Sequence, residues 1–304
     1  MDVKNKLSRR QFIKTSSACF VGAIVLPSFV GLKKRVRFGW VTDIHFAEAE
    51  VKWGRYFSES KVKLAEAVDL FNEQGVDFVI ETGDFKDQTS PPVEENTLKY
   101  LEQIEDVLRQ FRGPVYHVLG NHDMDSLSKP QFLNGIENTG IPKDKSYYYF
   151  DRGGMRFVVL DACYTKKGED YDHHNYHWTD ANIPEEQLIW LRKVLALSQG
   201  PVFMFIHQLL DGRGDLYVNN ARKVRKVIEE SGKVQAVFQG HKHEGGCNVI
   251  NDVLYFTLKA MVEGSGEINN SYSIVTVESN GEIKIEGYRK ADDYEYAKSR
   301  TVHS

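Results

Sequence analysis

The sequence predicts an α/β protein in which two β-sheets are stacked inside layers of helix. Three observations carry that reading. The first half alternates short apolar runs with segments of helical period, as βαβ crossovers do. The second half is rich in hairpin signals, with paired apolar runs around Asn251-Asp252 and Asn280-Gly281. A length of 304 residues with 41% hydrophobic content suits one large domain or two small ones with a sizeable core. No repeat or linker divides residues 33–290, which are read as a single domain.

Taken in order, residues 36–42 (Val-Arg-Phe-Gly-Trp-Val-Thr) read as a buried strand, followed by a loop over 46–57. Leu64, Ala65, Val68 and Phe71 then recur at helical spacing before Gly75, and residues 76–81 form the second strand. Pro91-Pro92 opens a second helix with Leu98, Leu101, Ile104, Leu108 and Phe111 on its apolar side, and Gly113-Pro114 closes it. Residues 115–119 are the third strand. Residues 147–150 and 155–160 flank Gly153-Gly154 as a hairpin, and 161–180 read as a long polar loop. Ile183-Pro184 starts a helix carrying Leu188, Leu191 and Leu195. Strand 202–206, a basic helix over 219–230 and strand 234–239 follow. Residues 249–250 with 253–258, and 272–277 with 282–288, read as antiparallel hairpins. From Ala291 to Ser304 the chain is a polar, loosely held tail.

The formal net charge of −4 gives no sign of a nucleic-acid binder, and three cysteines are too few for a disulfide scaffold. Cys163 and Cys247 are read as two buried free thiols, with pairing in an oxidising compartment as the alternative. Residues 1–32 stand apart. Ser8-Arg9-Arg10-Gln11-Phe12-Ile13-Lys14 precedes a short apolar run, residues 18–27, and the paired arginines resemble a bacterial twin-arginine export signal. Gly22 and Pro27 interrupt that run, which is shorter than the roughly 20 residues a spanning helix needs. Export to the periplasm or beyond is expected, with a membrane tether only if the leader persists.

Chemistry gathers where the predicted strands end. Asp43-Ile-His45, Gly83-Asp84, Gly120-Asn121-His122-Asp123, His207 and Gly240-His241-Lys-His243 each follow an apolar run. In open α/β sheets the ligand crevice lies beyond the carboxyl ends of the strands. Each block alone is commonplace, since an isolated Asp-x-His or Gly-Asp is ordinarily a turn. Their recurrence at successive strand ends is what points to a site. Mixed nitrogen and oxygen donors suit zinc, manganese or iron better than magnesium or calcium. They are too many for one ion, whereas a bridging carboxylate can hold two that acidify a shared water and clamp a phosphorus centre.

In that order the blocks, with Asp87 completing Gly83-Asp84-x-x-Asp87, resemble those of the calcineurin-like metallophosphoesterases over residues 36–288. The resemblance implies a four-layer αββα sandwich of two mixed sheets and a dinuclear metal centre. Asp43, His45 and His243 would hold the first ion, and Asn121, His207 and His241 the second, with Asp84 bridging. A metal-bound hydroxide would attack the phosphorus of a small phosphate ester or nucleotide. His122 would contact the phosphate and protonate the leaving oxygen, with Asp123 orienting its ring and Asp87 steadying a loop or a ligand. A narrower similarity is to the manganese-dependent ADP-ribose/CDP-alcohol diphosphatases. It rests on Phe38-Gly39-x-x-x-Asp43-Ile44, Arg55-Tyr56, Leu160-Asp161-Ala162, Glu186-Gln187-Leu188-x-Trp190-Leu191, Gly240-His241-Lys242-His243-Glu244-Gly245-Gly246 and Val262-Glu263. His45 and Asp123 depart from that group, where Gln and Glu are common. A phosphomonoesterase on the same ligands and a non-catalytic metal-stabilised binding protein are the alternatives.

Trp53, Arg55 and Tyr56 are read either as a base-stacking, phosphate-pairing wall or as packing. His173, His174 and His177, with Asp170 and Asp172, are read as a solvated rim of the cleft, with a third metal site as the alternative. Cys247 either lines the pocket or is buried in the core, and Lys223, Arg225 and Lys226 form a solvated helix face.

Overall fold

The structure is a computed structural model that describes residues 34–297. The leader expected over 1–32, Cys19 within it and residues 298–304 lie outside the described residues. The first part of the chain supplies β1 (Arg35–Val41), α1 (Ser60–Gln74), β2 (Phe78–Glu81), α2 (Glu94–Leu108), β3 (Val115–His117) and α3 (Lys129–Gly135). The middle supplies β4 (Tyr148–Arg152), β5 (Met155–Val159), α4 (Glu185–Leu197), β6 (Val202–Phe205), α5 (Ala221–Ser231) and β7 (Val234–Gln239). β8 (Gly246–Ile250), β9 (Val253–Thr257), β10 (Ser271–Glu278), β11 (Ile283–Arg289) and β12 (Tyr294–Tyr296) complete it.

Two six-stranded mixed sheets result, ordered β12-β11-β10-β1-β2-β3 and β4-β5-β6-β7-β9-β8. β1, β2 and β3 run parallel in the first sheet, and β5, β6, β7 and β9 in the second. Three apolar cores separate four layers. Alternation along each strand sends Phe38, Trp40, Phe78, Phe157, Phe203, Phe205, Phe238 and Phe256 into the space between the sheets. The opposite faces carry Val41 and Val79 onto α1 and α2, and Val158, Met204 and Val237 onto α4 and α5. Edge-to-face contacts fasten the inner core, Phe38 meeting Phe205 and Phe238 with centroids 5.5 and 5.4 Å apart. Among the described residues no helix is long and apolar enough to cross a membrane.

Several local expectations are corrected. The second helix starts at Glu94, because Val93 keeps an extended backbone as its cap. α3 is absent from the sequence reading, although Ser128 and Gln131 form a capping box at its start. β9 pairs antiparallel with β8, yet it also extends the parallel ladder of β7. The tail is not loose from Ala291, since Tyr294–Tyr296 add an edge strand to β11. Cys163 is buried but Cys247 is exposed, and both are free.

Beneath β3 lies a buried ionic triad. His117 Nε2 faces Glu105 Oε2 at 3.1 Å and its Nδ1 faces Glu81 Oε2 at 3.5 Å. Burial disfavours the imidazolium, but Glu105 and Glu81 outweigh it and push His117 up to about 10. A raised folded value contributes stability fully below the unfolded value of about 6.5. That contribution is lost as pH rises through about 10. His117→Leu removes the cation between two buried carboxylates and leaves Glu81 with no ion-pair partner while Glu105 keeps Arg109 at 3.1 Å, and a loss of about 3 kcal/mol is expected in urea unfolding at neutral pH. A change under 1 kcal/mol would show that the triad contributes little.

Candidate metal centre

The parallel strands of both sheets deliver their carboxyl ends to one place. Beyond β1 stand Asp43 and His45, beyond β2 Asp84, and beyond β3 Asn121 and His122 in a single 3-10 turn. Beyond β6 stands His207, and beyond β7 His241 and His243. Backbone bonds stitch the two sheets together at this edge. Met261 and Val262 donate to the carbonyls of Thr42 and Asp43 at 3.2 and 3.1 Å, and the His241 amide donates to Asp43 Oδ2 at 3.0 Å.

The backbone is strained where the ligands project. Asp43, His45, Asp84 and His241 have φ of 49°, 45°, 58° and 67°, which costs such residues on the order of 1–3 kcal/mol each. Glycine is required where the blocks meet. A Cβ on Gly120 would sit 2.0 Å from the Asp84 amide nitrogen, and one on Gly240 2.1 Å from Thr42 Oγ1.

Two donor clusters form and share Asp84. The ligand atoms of Asp43, His45 and His243 lie within 4.8 Å of one another, as do those of Asp84, His207 and His241. Asp84 Oδ2 joins the clusters, 3.5 Å from His45 Nε2 and 3.1 Å from His207 Nε2. Three rings have their Nδ1 engaged, which turns Nε2 toward the centre. His45 Nδ1 meets Asp87 Oδ2 at 3.0 Å, His207 Nδ1 meets the Thr82 carbonyl at 2.8 Å and His243 Nδ1 meets Glu263 Oε1 at 2.6 Å. Such partners set the tautomer and raise the basicity of a ligating imidazole.

The residues fit a pair of divalent ions. His45 Nε2 and Asn121 Oδ1 are buried without a hydrogen-bond partner, a costly state for polar atoms unless something else engages them, and His241 Nδ1 faces the centre 3.2 Å from His207 Nε2. Burial holds His45 and His241 down, to about 4 and about 3, so both rings are neutral and present lone pairs at physiological pH. Burial favours the neutral form of Asp84, yet His207, His122 and His45 outweigh it and keep the carboxylate well below its ordinary range. The sequence-predicted ligands Asp43, His45, Asp84, His207, His241 and His243 are thus assembled. Asn121 stands beside them, its Nδ2 3.3 Å from the Tyr176 hydroxyl.

The role expected for Asp123 is corrected. Its carboxylate faces away from the His122 ring and accepts the amides of Gly120 at 2.8 Å, Phe85 at 2.9 Å and Asp84 at 3.2 Å. It therefore stitches the turn bearing His122 to the loop bearing the bridging carboxylate. The His122 ring is instead faced by Asp125 Oδ2 at 3.4 Å and Asp87 Oδ2 at 3.6 Å from Nδ1. Buried Lys86 anchors this arrangement, binding Asp125 Oδ1 and the His122 carbonyl. Burial opposes a charged His122, but Asp87, Asp84 and Asp125 push it up to about 9, so the ring carries its proton at neutral pH.

Asp125 and Tyr176 are neighbours of the site that residue patterns did not assign, and Glu263, quoted above only within a motif, is placed by its contact with His243. Glu263 stands beyond β9 and obeys the same strand-end rule, while Asp125 lies three residues after His122 on the turn. Tyr176 has no local signal. Glu263→Gln is expected to weaken metal binding at the His243 cluster about 10–100-fold, with the His207 cluster little changed. A metal titration of activity and calorimetry check this, and unaltered affinity would remove Glu263 from the site.

A family described as calcineurin-like phosphoesterase matches residues 36–245. The chain belongs to the calcineurin-like phosphoesterase family. It is a metal-dependent phosphoester hydrolase built for two divalent ions. As a family member it is similar to the manganese-dependent ADP-ribose/CDP-alcohol diphosphatase of Oryza sativa, 26% identical, over 74% of this chain and 83% of that protein. The human protein of that description is 23% identical over 88% of this chain and 94% of its own. The phosphoesterase fold matches a solved dimetal phosphatase from Danio rerio with a TM-score of 0.73 at 22% identity, over 86% of this chain and 98% of that one.

Proposed function

We propose that this phosphoesterase hydrolyses the phosphoanhydride bond of small nucleoside diphosphate derivatives such as ADP-ribose or CDP-alcohols. The observation that carries the reading is a cleft of about 660 Å³ opening on His122 and Asp87. Its wall includes Lys52, Trp53 and Arg55. The Trp53 indole is 78% exposed, with Lys52 Nζ 4.1 Å from its ring centroid. An exposed indole beside an ammonium, on a wall that also carries the Arg55 guanidinium, suits an aromatic base and the phosphate next to it. The activity named for the relatives supports the same substrate class.

Two divalent ions, when bound by Asp43, His45, Asp84, Asn121, His207, His241 and His243, neutralise phosphate charge and activate water. The chain's own groups do the remainder. Asn121 is oriented through its Nδ2 by Tyr176, whose hydroxyl burial keeps protonated and available to a phosphate oxygen. His122 donates its proton to the leaving oxygen as the P–O bond breaks, while Asp87 and Asp125 hold the ring. Water contributes OH to phosphorus and its other proton restores the acid, so one anhydride yields two monoesters.

We further infer export by the twin-arginine route, supported by Arg9-Arg10 ahead of a short apolar run. Arg9→Lys with Arg10→Lys should retain the protein in the cytoplasm of a bacterial host, and unchanged fractionation would overturn this. The substrate reading is tested with manganese and four compounds: ADP-ribose, CDP-choline, bis-p-nitrophenyl phosphate and p-nitrophenyl phosphate. Turnover of the first two, with Trp53→Ala raising KM for both, is expected. Turnover of the monoester alone would make the protein a phosphomonoesterase.

A further inference from the structure

Outside the dinuclear centre, residues 161–180 hold Asp170, Asp172, His173, His174 and His177 on one loop, and their contacts divide them. Asp170 Oδ1 is taken by Lys129 Nζ at 2.5 Å, and His177 Nδ1 by Thr179 Oγ1 at 2.8 Å. Asp172, His173 and His174 remain, with ligand atoms within 4.8 Å of one another. The two imidazoles lie with centroids 3.6 Å apart at an interplanar angle of 51°. Asp172 Oδ1 touches His173 Nδ1 yet takes part in no hydrogen bond.

These donors sit on a braced turn. Asn175 Oδ1 accepts the Asp172 amide at 2.9 Å, Asn175 Nδ2 donates to the Asp170 carbonyl at 2.8 Å, and the Asn175 and Tyr176 amides donate to the Asp172 carbonyl, each at 3.0 Å. Below it Tyr171 is buried, its hydroxyl donating to the His177 carbonyl at 3.1 Å. Its ring meets Tyr176 edge-on at 5.9 Å.

We propose that Asp172, His173 and His174 form a third metal site, separate from the catalytic pair, for one divalent zinc-like transition ion whose remaining positions are filled by water. Two imidazoles and one carboxylate make a nitrogen-rich set. Magnesium and calcium prefer oxygen cages, and manganese binds most weakly among the first-row ions, so zinc is selected over all three. The site faces solvent and exchanges its ion freely. Its occupant bears on the active centre through Tyr176, two residues on, whose ring lies 5.9 Å from that of His122. An ion tying residues 172–174 together stiffens the segment that presents Tyr176.

The test counts zinc in the full-length protein by mass spectrometry after equilibrium dialysis. Three ions per chain are expected, falling to two in His173→Ala with His174→Ala and in Asp172→Asn, each variant keeping the wild-type melting curve without zinc. Hydrogen exchange of residues 170–178 should slow on the third equivalent in the wild type only. Two ions in the wild type, or three in both variants, overturns the site. Exchange that the third ion does not alter overturns its link to Tyr176.

Discussion

Replacing Asp84 with alanine is expected to strip both ions from the protein and to lower kcat/KM by well over the roughly 10²-fold that losing a partner one step removed from a metal can cost. The side chain has three duties at once. Its Oδ2 lies between His45 Nε2 and His207 Nε2, at 3.5 and 3.1 Å, and its Oδ1 accepts the His122 amide at 2.7 Å. Removing it uncouples the two donor clusters and frees the turn that holds His122. Elemental analysis after gel filtration, beside a hydrolysis assay and a circular dichroism spectrum, reads all three effects. Two ions retained per chain in a folded Asp84→Ala protein would mean that this carboxylate does not bridge.

His122→Ala is expected to leave the metal content intact and to reduce kcat by about 10²–10⁴-fold on substrates with a basic leaving oxygen. With a nitrophenolate or a phosphate-monoester leaving group, both weakly basic, the loss should be much smaller than with an alkoxide. The pH dependence has a definite sign. In the proposed role His122 acts as the protonated form, which Asp87 and Asp125 favour, so activity should fall as pH rises through the titration of the ring. Asp125→Asn removes one of the carboxylates that support the proton, which moves the alkaline limb of kcat to lower pH. Asp123→Asn, whose carboxylate faces backbone amides, should lower stability and leave that limb in place. An equal fall on all leaving groups for His122→Ala would assign the ring to binding rather than proton transfer.

Much of the site is legible because each ligand sits at the end of its own strand. A short, nearly continuous apolar run ending in Asp43, Asp84, Asn121, His207 or His241 marks both a strand buried on its two faces and the polar group at its mouth. The hairpins are legible for a similar reason, since Asn251-Asp252 and Asn280-Gly281 are turn chemistry confined to two residues. Tyr294–Tyr296 is not, because an edge strand is selected by the free ladder of β11 rather than by its own composition. α3 escapes the reading because it has only seven residues, too few for a periodic pattern. Tyr176 reaches Asn121 across 55 residues of chain, and no spacing rule predicts that contact.

The donors, their number and the nitrogen–oxygen character of the centre were determined by the sequence, for these depend only on which residue closes each strand. Which carboxylate serves which histidine was decided by tertiary structure. Asp123 and Asp125 stand on one turn, two residues apart, and composition treats them alike. Packing of that turn against the Asp84 loop gives Asp123 to the amides of Asp84 and Phe85 and leaves Asp125 facing the ring of His122. A hydrogen bond or a ring contact depends on differences of a fraction of an ångström between distant segments, and those distances exist only once the sheets have packed.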